Sequence, residues 1–213
     1  MSDAYLAYLD RFFRTWLPVY DLFTASIAPA YRRAVTLAGV GEGRRVLDLA
    51  AGTGELALRC ARRGAWVSAA DVTAPMLAAA VEKARKRRLE IHPVRLDGRA
   101  LSFGDDSFDV VLLGFALHDM PRPVRAEILV EAARVAREGL VILDYAPPGS
   151  RWLRELWRRS IGLVETAYFS GFVRDGGVPA ALVAAGLPAG RRHPGFPGVA
   201  AVWQVPLISP PAS

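Results

Sequence analysis

Val46-Leu47-Asp48-Leu49-Ala50-Ala51-Gly52-Thr53-Gly54-Glu55 reads as a buried strand that ends in a glycine-bearing turn. Val-Leu-x-Leu is a short apolar run of the kind that fills the centre of a parallel sheet. The two glycines allow a backbone approach that a Cβ would block. Leu56-Ala57-Leu58-Arg59-Cys60-Ala61 continues as a helix, and a second strand, Ala65-Trp66-Val67-Ser68-Ala69-Ala70, stops at Asp71. A glycine turn on one strand with a carboxylate at the tip of the next is a common way to hold a ribose.

The turn alone fits two ligands. Gly52-Thr53-Gly54-Glu55-Leu56-Ala57 satisfies the G-x-G-x-x-A pattern of dinucleotide sites, with Asp71 near the distance of the ribose acid. That keeps a nicotinamide-dependent oxidoreductase as an alternative. Glu55, however, puts negative charge where a pyrophosphate needs the positive end of a helix. Asp48 adds a second carboxylate at the strand tip, which suits a cationic amino acid better than a diphosphate. S-adenosylmethionine carries an adenosine, an α-amino group and a sulfonium but no phosphate, and the acids fit it.

Working outward, the hydrophobic pattern alternates helix and strand. Strands are expected near 44–49, 65–71, 89–95, 108–114 and 139–144, with helices near 26–38, 54–63, 74–87 and 122–137. Such alternation implies right-handed crossovers and a parallel sheet. Thr73 before Ala74-Pro75 has the form of a helix N-cap. Tyr5, Leu9, Phe12, Phe13, Trp16 and Tyr20 share a helical stripe near the N-terminus, and Trp152, Leu156, Trp157 and Tyr168 share another. A further helix near 178–185 is followed by a hairpin of 190–196 and 199–205 around Pro197-Gly198.

Five landmarks in register resemble the class I S-adenosylmethionine-dependent methyltransferases. Asp48-Leu49-Ala50-Ala51-Gly52-Thr53-Gly54-Glu55 resembles the first motif of that family, and Asp71-Val72-Thr73-Ala74-Pro75-Met76-Leu77 its second-strand acid and helix start. Asp97-Gly98-Arg99-Ala100-Leu101-Ser102-Phe103 resembles the adenine loop. The stretch from Phe108 through Gly114-Phe115-Ala116-Leu117-His118 resembles the fourth strand and its loop, and Gly139-Leu140-Val141-Ile142-Leu143-Asp144-Tyr145 the fifth strand. Tyr20-Asp21-Leu22-Phe23 is similar to a segment of the ubiquinone/menaquinone-biosynthesis type, whereas Ala116-Leu117-His118-Asp119-Met120 replaces that group's Arg-Asn pair.

The resemblance implies an α/β, Rossmann-like, mostly parallel seven-stranded sheet with helices on both faces and an antiparallel last strand. The expected domain is one unit over 1–213, with a helical lid at 1–40 and a helical cover at 150–180. Expected cofactor contacts are Tyr20, Asp48, Ala50, Gly52, Gly54, Asp71, Val72, Met76, Asp97, Gly98, Arg99, Gly114 and Phe115. Asp71 is expected at the ribose hydroxyls, Asp48 and the Ala50 carbonyl at the amino group, and Asp97 at the adenine amine. Val72 and Met76 are expected to sandwich the ring.

Methyl transfer from a sulfonium is an in-line displacement, so orientation supplies much of the acceleration. A general base adds roughly 10²–10⁴-fold for an oxygen or nitrogen acceptor. His118, just past the fourth strand, is the candidate for that base. The aromatic N-terminal and post-strand-five segments suit a small hydrophobic or amphipathic acceptor such as a quinone precursor, a lipid or a secondary metabolite. Gly171, Gly176 and Gly177 suit a mobile cover over it. A noncatalytic cofactor-binding module on the same fold is the remaining alternative.

Composition narrows the field. The chain has 213 residues and a net charge of +6, and its 52% hydrophobic content comes without a run long enough to cross a membrane. The basic clusters at 85–88, 151–159 and 191–192 read as solvated helix faces and ends, since aromatics, except around Trp152 and Trp157, do not interleave with them as a base-stacking platform needs. No nucleic-acid partner is expected, and contact of the Trp152 helix with a membrane surface is a lesser reading. One cysteine and three scattered histidines argue against a disulfide and a zinc site. With no signal-like N-terminus, the expected location is cytoplasmic. Cys60 lies mid-helix, which removes it as the nucleophile that pyrimidine carbon-5 methylation needs.

Overall fold

The computed structural model describes residues 27–146, 150, 152, 155, 157, 159, 168–196 and 198–207. The N-terminal aromatic stripe with Tyr20, and most of the Trp152 helix, lie outside the described residues. Among the described residues there are six helices, seven strands and one 3₁₀ turn. In chain order they are α1 (Ala28–Leu37), β1 (Arg45–Leu49), α2 (Glu55–Ala61), β2 (Trp66–Asp71), α3 (Ala74–Arg87), β3 (His92–Arg95) and β4 (Phe108–Gly114). A 3₁₀ turn (Leu117–Asp119) precedes α4 (Arg122–Val135), β5 (Ala136–Tyr145), α5 (Phe169–Asp175), α6 (Gly177–Ala184), β6 (Arg191–Phe196) and β7 (Ala200–Pro206).

The strands form one sheet in the order β3-β2-β1-β4-β5-β7-β6. β1 to β5 pair in parallel, and β7 runs antiparallel to both β5 and β6. The expected fold class is therefore the observed one, including the antiparallel last strand. β1 and β4 are neighbours, so the order reverses between them, and the carboxyl edge opens a crevice at that point. Val46, Leu47, Val111, Leu112, Leu140 and Ile142 are all buried, as central strands covered on both faces require.

Several boundaries differ from the sequence expectation for local reasons. β3 begins at His92 rather than 89, because Arg88 turns left-handed (φ 54°) and the Leu89 N–H caps α3 on the Ala84 carbonyl. β5 begins at Ala136, where α4 passes into strand with no loop between them. Thr73 is extended but its side chain does not cap α3, and its hydroxyl donates to Asp71 instead. The segment expected as a mobile cover holds helix α5, with Phe169 and Phe172 wholly buried in the core. Gly171 lies within that helix, and Gly176, left-handed (φ 104°), ends it.

Gly54 shows how tightly the turn is set. It is left-handed (φ 82°), and a Cβ there would lie 2.9 Å from the Ala80 Cβ on α3. Gly54→Ala therefore meets both a backbone and a packing penalty, and should lower stability by about 2–4 kcal/mol. Denaturant melts of the two proteins check this, and an unchanged midpoint would contradict the packing described.

Candidate functional site

The site starts at the tip of β1. Ala50 takes a left-handed conformation (φ 58°), uncommon for a residue with a side chain, and Ala51 N–H donates to the Ala70 carbonyl on β2. The turn so formed presents the Gly52 N–H to Asp71, whose Oδ2 accepts it at 2.8 Å. Asp71 Oδ1 accepts from the Thr73 N–H at 2.8 Å and from its hydroxyl at 2.7 Å. Burial pushes the Asp71 carboxyl above the usual range, and these hydrogen bonds pull against it.

Ala50, Asp71, Val72, Asp97 and Gly98 line one cleft beyond the strand ends. These five residues come from three separate stretches of sequence, and the fold brings them together. Leu96 joins them from the end of β3, and Met120, Val124 and Ile128 complete the wall from the loop after β4 and from α4. Sequence reasoning missed those four apolar residues. Met76, expected against the ring, is buried and does not line the cleft, whereas Met120 does. A methionine two residues past His118 was the available signal.

Asp48 and Gly114 line a second, narrower recess with Tyr31, Ala51, Thr53 and Leu56. Ala51 lines this recess and Ala50 the first, so the two adjoin at the β1 turn. Asp48 is almost wholly buried, and its Oδ2 accepts from the Ala57 N–H at 2.8 Å. Burial first, then the charges of Asp71 and Glu55, push its carboxyl up to about 7 against that hydrogen bond.

Other expected contacts stand differently. Arg99 pairs bidentately with Asp97, with Nη2 2.7 Å from Oδ2 and Nε 3.1 Å from Oδ1, and the Arg99 N–H also donates to Oδ1. Arg99 thus fixes the Asp97 carboxylate at the edge of the cleft. Phe115 (φ 50°) is buried among Tyr31, Tyr145 and His118 and lines neither recess. Gly54 meets α3 rather than open space, so helix packing is what requires a glycine there. Glu55 is ringed by Arg59, Lys83 and Arg87 at 3.3, 3.6 and 3.8 Å, so its charge is matched and no longer argues against a diphosphate.

His118 stands apart from both recesses. It is 3% exposed, with Nδ1 2.8 Å from Asp144 Oδ1 and Nε2 3.3 Å from Asp119 Oδ1. Phe115, Tyr145, Phe169 and Phe172 surround its ring, and it lines neither recess. Both nitrogens face carboxylates, with the Asp144 contact the shorter of the two. A separate groove at the amino-terminal edge, lined by Arg45, Trp66, His92 and Phe103, holds none of the strand-end acids.

This strand order, with a glycine turn and acids at the carboxyl edge, is a Rossmann-like α/β fold. Residues 46–139 match the family of methyltransferase domains. The chain is 41% identical over 142 residues to a demethylmenaquinone methyltransferase of Thermus thermophilus, covering 65% of this chain and 60% of that protein. It is 37% identical over 129 residues to one from Mycobacterium sp. (strain KMS), covering 60% and 53%. The chain thus spans somewhat over half the length of these relatives. Among solved structures, a S-adenosylmethionine-dependent methyltransferase from Aquifex aeolicus superposes with a TM-score of 0.59 at 22% identity, covering 84% of this chain and 89% of that one. Magnesium protoporphyrin IX methyltransferase from Synechocystis PCC 6803, with bound S-adenosylhomocysteine, gives 0.63 at 18% identity, covering 86% and 83%. At these identities the structures speak for the fold alone.

The Asp48 carboxyl makes a stability prediction. The folded protein holds this proton more tightly than the unfolded chain, whose carboxyl titrates near 3.8. Stability therefore falls as pH rises from about 4 to about 7 and levels off above that, by at most about 4 kcal/mol from this group. Asp48→Asn should flatten urea-melt stability over that window. A variant as steeply pH-dependent as the parent would show that another group carries the effect.

Proposed function

We propose that this protein transfers a methyl group from S-adenosylmethionine to a small apolar acceptor of the quinone-precursor type. The observation that carries the reading is the meeting of Ala50, Asp71, Val72, Asp97 and Gly98 in one cleft at the switch point of the sheet. That cleft is apolar on its walls and acidic at one rim, which suits an uncharged adenine and a ribose diol. The adjoining recess ends on the buried Asp48, which suits a cationic amino group.

S-adenosylmethionine supplies the electrophilic methyl, and the chain supplies binding and orientation. Asp71 keeps one accepting position on Oδ2 for a ribose hydroxyl, as a charge-assisted hydrogen bond stronger than a neutral one. Leu96, Val72 and Met120 enclose the adenine plane. Asp97 accepts from the adenine amine while Arg99 fixes its carboxylate in place. Tyr31 and Gly114 line the recess with Asp48, which gives up its proton to face an ammonium group. Holding acceptor and methyl in line accounts for the rate, as oriented pairs reach effective molarities of about 10⁵–10⁸ M. His118 is left out of this reading. The quinone-type acceptor follows the names of the relatives from Thermus and Mycobacterium, over the part of them this chain spans.

Calorimetric titration with S-adenosylhomocysteine, and separately with NADH, tests the cofactor. Saturable binding of the first and none of the second is expected; the reverse would make the protein a dinucleotide enzyme. Asp71→Asn should weaken S-adenosylhomocysteine by at least about tenfold, the loss of one charge-assisted hydrogen bond. Transfer of labelled methyl to a short-chain demethylmenaquinone tests the acceptor, and no transfer to it would remove the quinone class.

A further inference from the structure

The loop after β4, residues 115–120, adjoins both recesses: Gly114 before it lines one, and Met120 at its end lines the other. Its shape is unusual, since it opens on Phe115 with φ 50° and then tightens into the 3₁₀ turn. Two charged side chains hold it, and neither lines a recess. Asp144, wholly buried near the end of β5, accepts the Leu117 N–H on Oδ2 at 3.0 Å. Its Oδ1 accepts the Tyr145 N–H at 2.7 Å and lies 2.8 Å from His118 Nδ1. From the opposite side Arg125 Nε donates to the Leu117 carbonyl at 2.9 Å. The amide and the carbonyl of one loop residue are therefore each fixed by a charge.

We infer that Asp144 is a positioning residue for the cofactor cleft, acting through Leu117 and His118 to set where Gly114 and Met120 stand. The inference rests on the cofactor reading above. A buried carboxylate is a costly anchor, and replacing buried charge by apolar groups often leaves stability unchanged or raises it. What such a group supplies to a strained loop is a single geometry. His118 belongs to the same device: it carries the Asp144 contact on to Asp119, at the end of the 3₁₀ turn. Arg125 ties the device to the cover helix, because its Nη1 lies 3.0 Å from Asp175 at the end of α5 and its guanidinium sits 5.1 Å from the Phe172 ring.

A merely structural role and a positioning role separate in the readout. Asp144→Asn keeps the size of the side chain but cannot accept from Leu117 and Tyr145 while also facing His118 as before. Leu140→Ala, lower on the same strand and away from both recesses, serves as a destabilised control. Each is measured for its apo melting temperature and, well below that temperature, for S-adenosylhomocysteine affinity by calorimetry. Asp144→Asn should bind at least about tenfold more weakly, and Leu140→Ala within about twofold of the parent, whatever their melting temperatures. His118→Gln should move affinity in the same direction by a smaller factor, and should add nothing in the Asp144→Asn background. If Asp144→Asn does not fold, His118→Gln alone decides. Parent protein that fails to bind overturns the cofactor reading and this inference with it. Parent protein that binds, with Asp144→Asn or the deciding His118→Gln at parental affinity, overturns this inference and leaves the cofactor reading standing.

Discussion

The hydrogen bond from the Gly52 amide to the Asp71 carboxylate joins the turn after β1 to the tip of β2, and the cleft exists because those two strand ends are locked together. A carboxylate that accepts three hydrogen bonds from its own protein has little freedom to turn. It is buried at a cost that only such bonds offset. The same constraint explains the backbone nearby. Ala50 must turn left-handed for Ala51 to reach the Ala70 carbonyl, and only then does Gly52 point its N–H at Asp71. Strain at this place is what a preformed binding edge looks like.

Much of the fold was legible because its cues are local and periodic. The apolar runs of β1, β4 and β5 and the helix start at Ala74 mark themselves, and α3 spans the residues its pattern indicates. What was not legible depends on contacts distant in sequence. Nothing in Ala136-Arg137-Glu138 says that a helix passes straight into a strand; pairing with β4 decides it. Glycines at 171, 176 and 177 read as looseness, but Phe169 and Phe172 bury themselves and make a helix of the segment.

The site divides in the same way. The acids and glycines announced themselves by their spacing at strand ends. Their partners did not, so Asp97 gave no sign that Arg99 grips it, nor Glu55 that three cations surround it. A histidine beside an acid after the fourth strand has the look of a base, and the sequence gives no hint that His118 is buried away from both recesses. The carboxylate against its Nδ1, Asp144, lies 26 residues away in sequence. Apolar cleft walls are harder still to read, since Met120, Val124 and Ile128 resemble any helix-facing core residue until the crevice is seen.

The whole account turns on one cleft beyond β1, β2 and β3 holding a phosphate-free nucleoside. A crystal structure of the protein grown with S-adenosylhomocysteine addresses that directly. The account predicts electron density with the ribose against Asp71, the adenine between Val72 and Met120, and the amino group toward Asp48. Density in the groove of Trp66 and His92 instead, with the strand-end cleft holding only solvent, would contradict it.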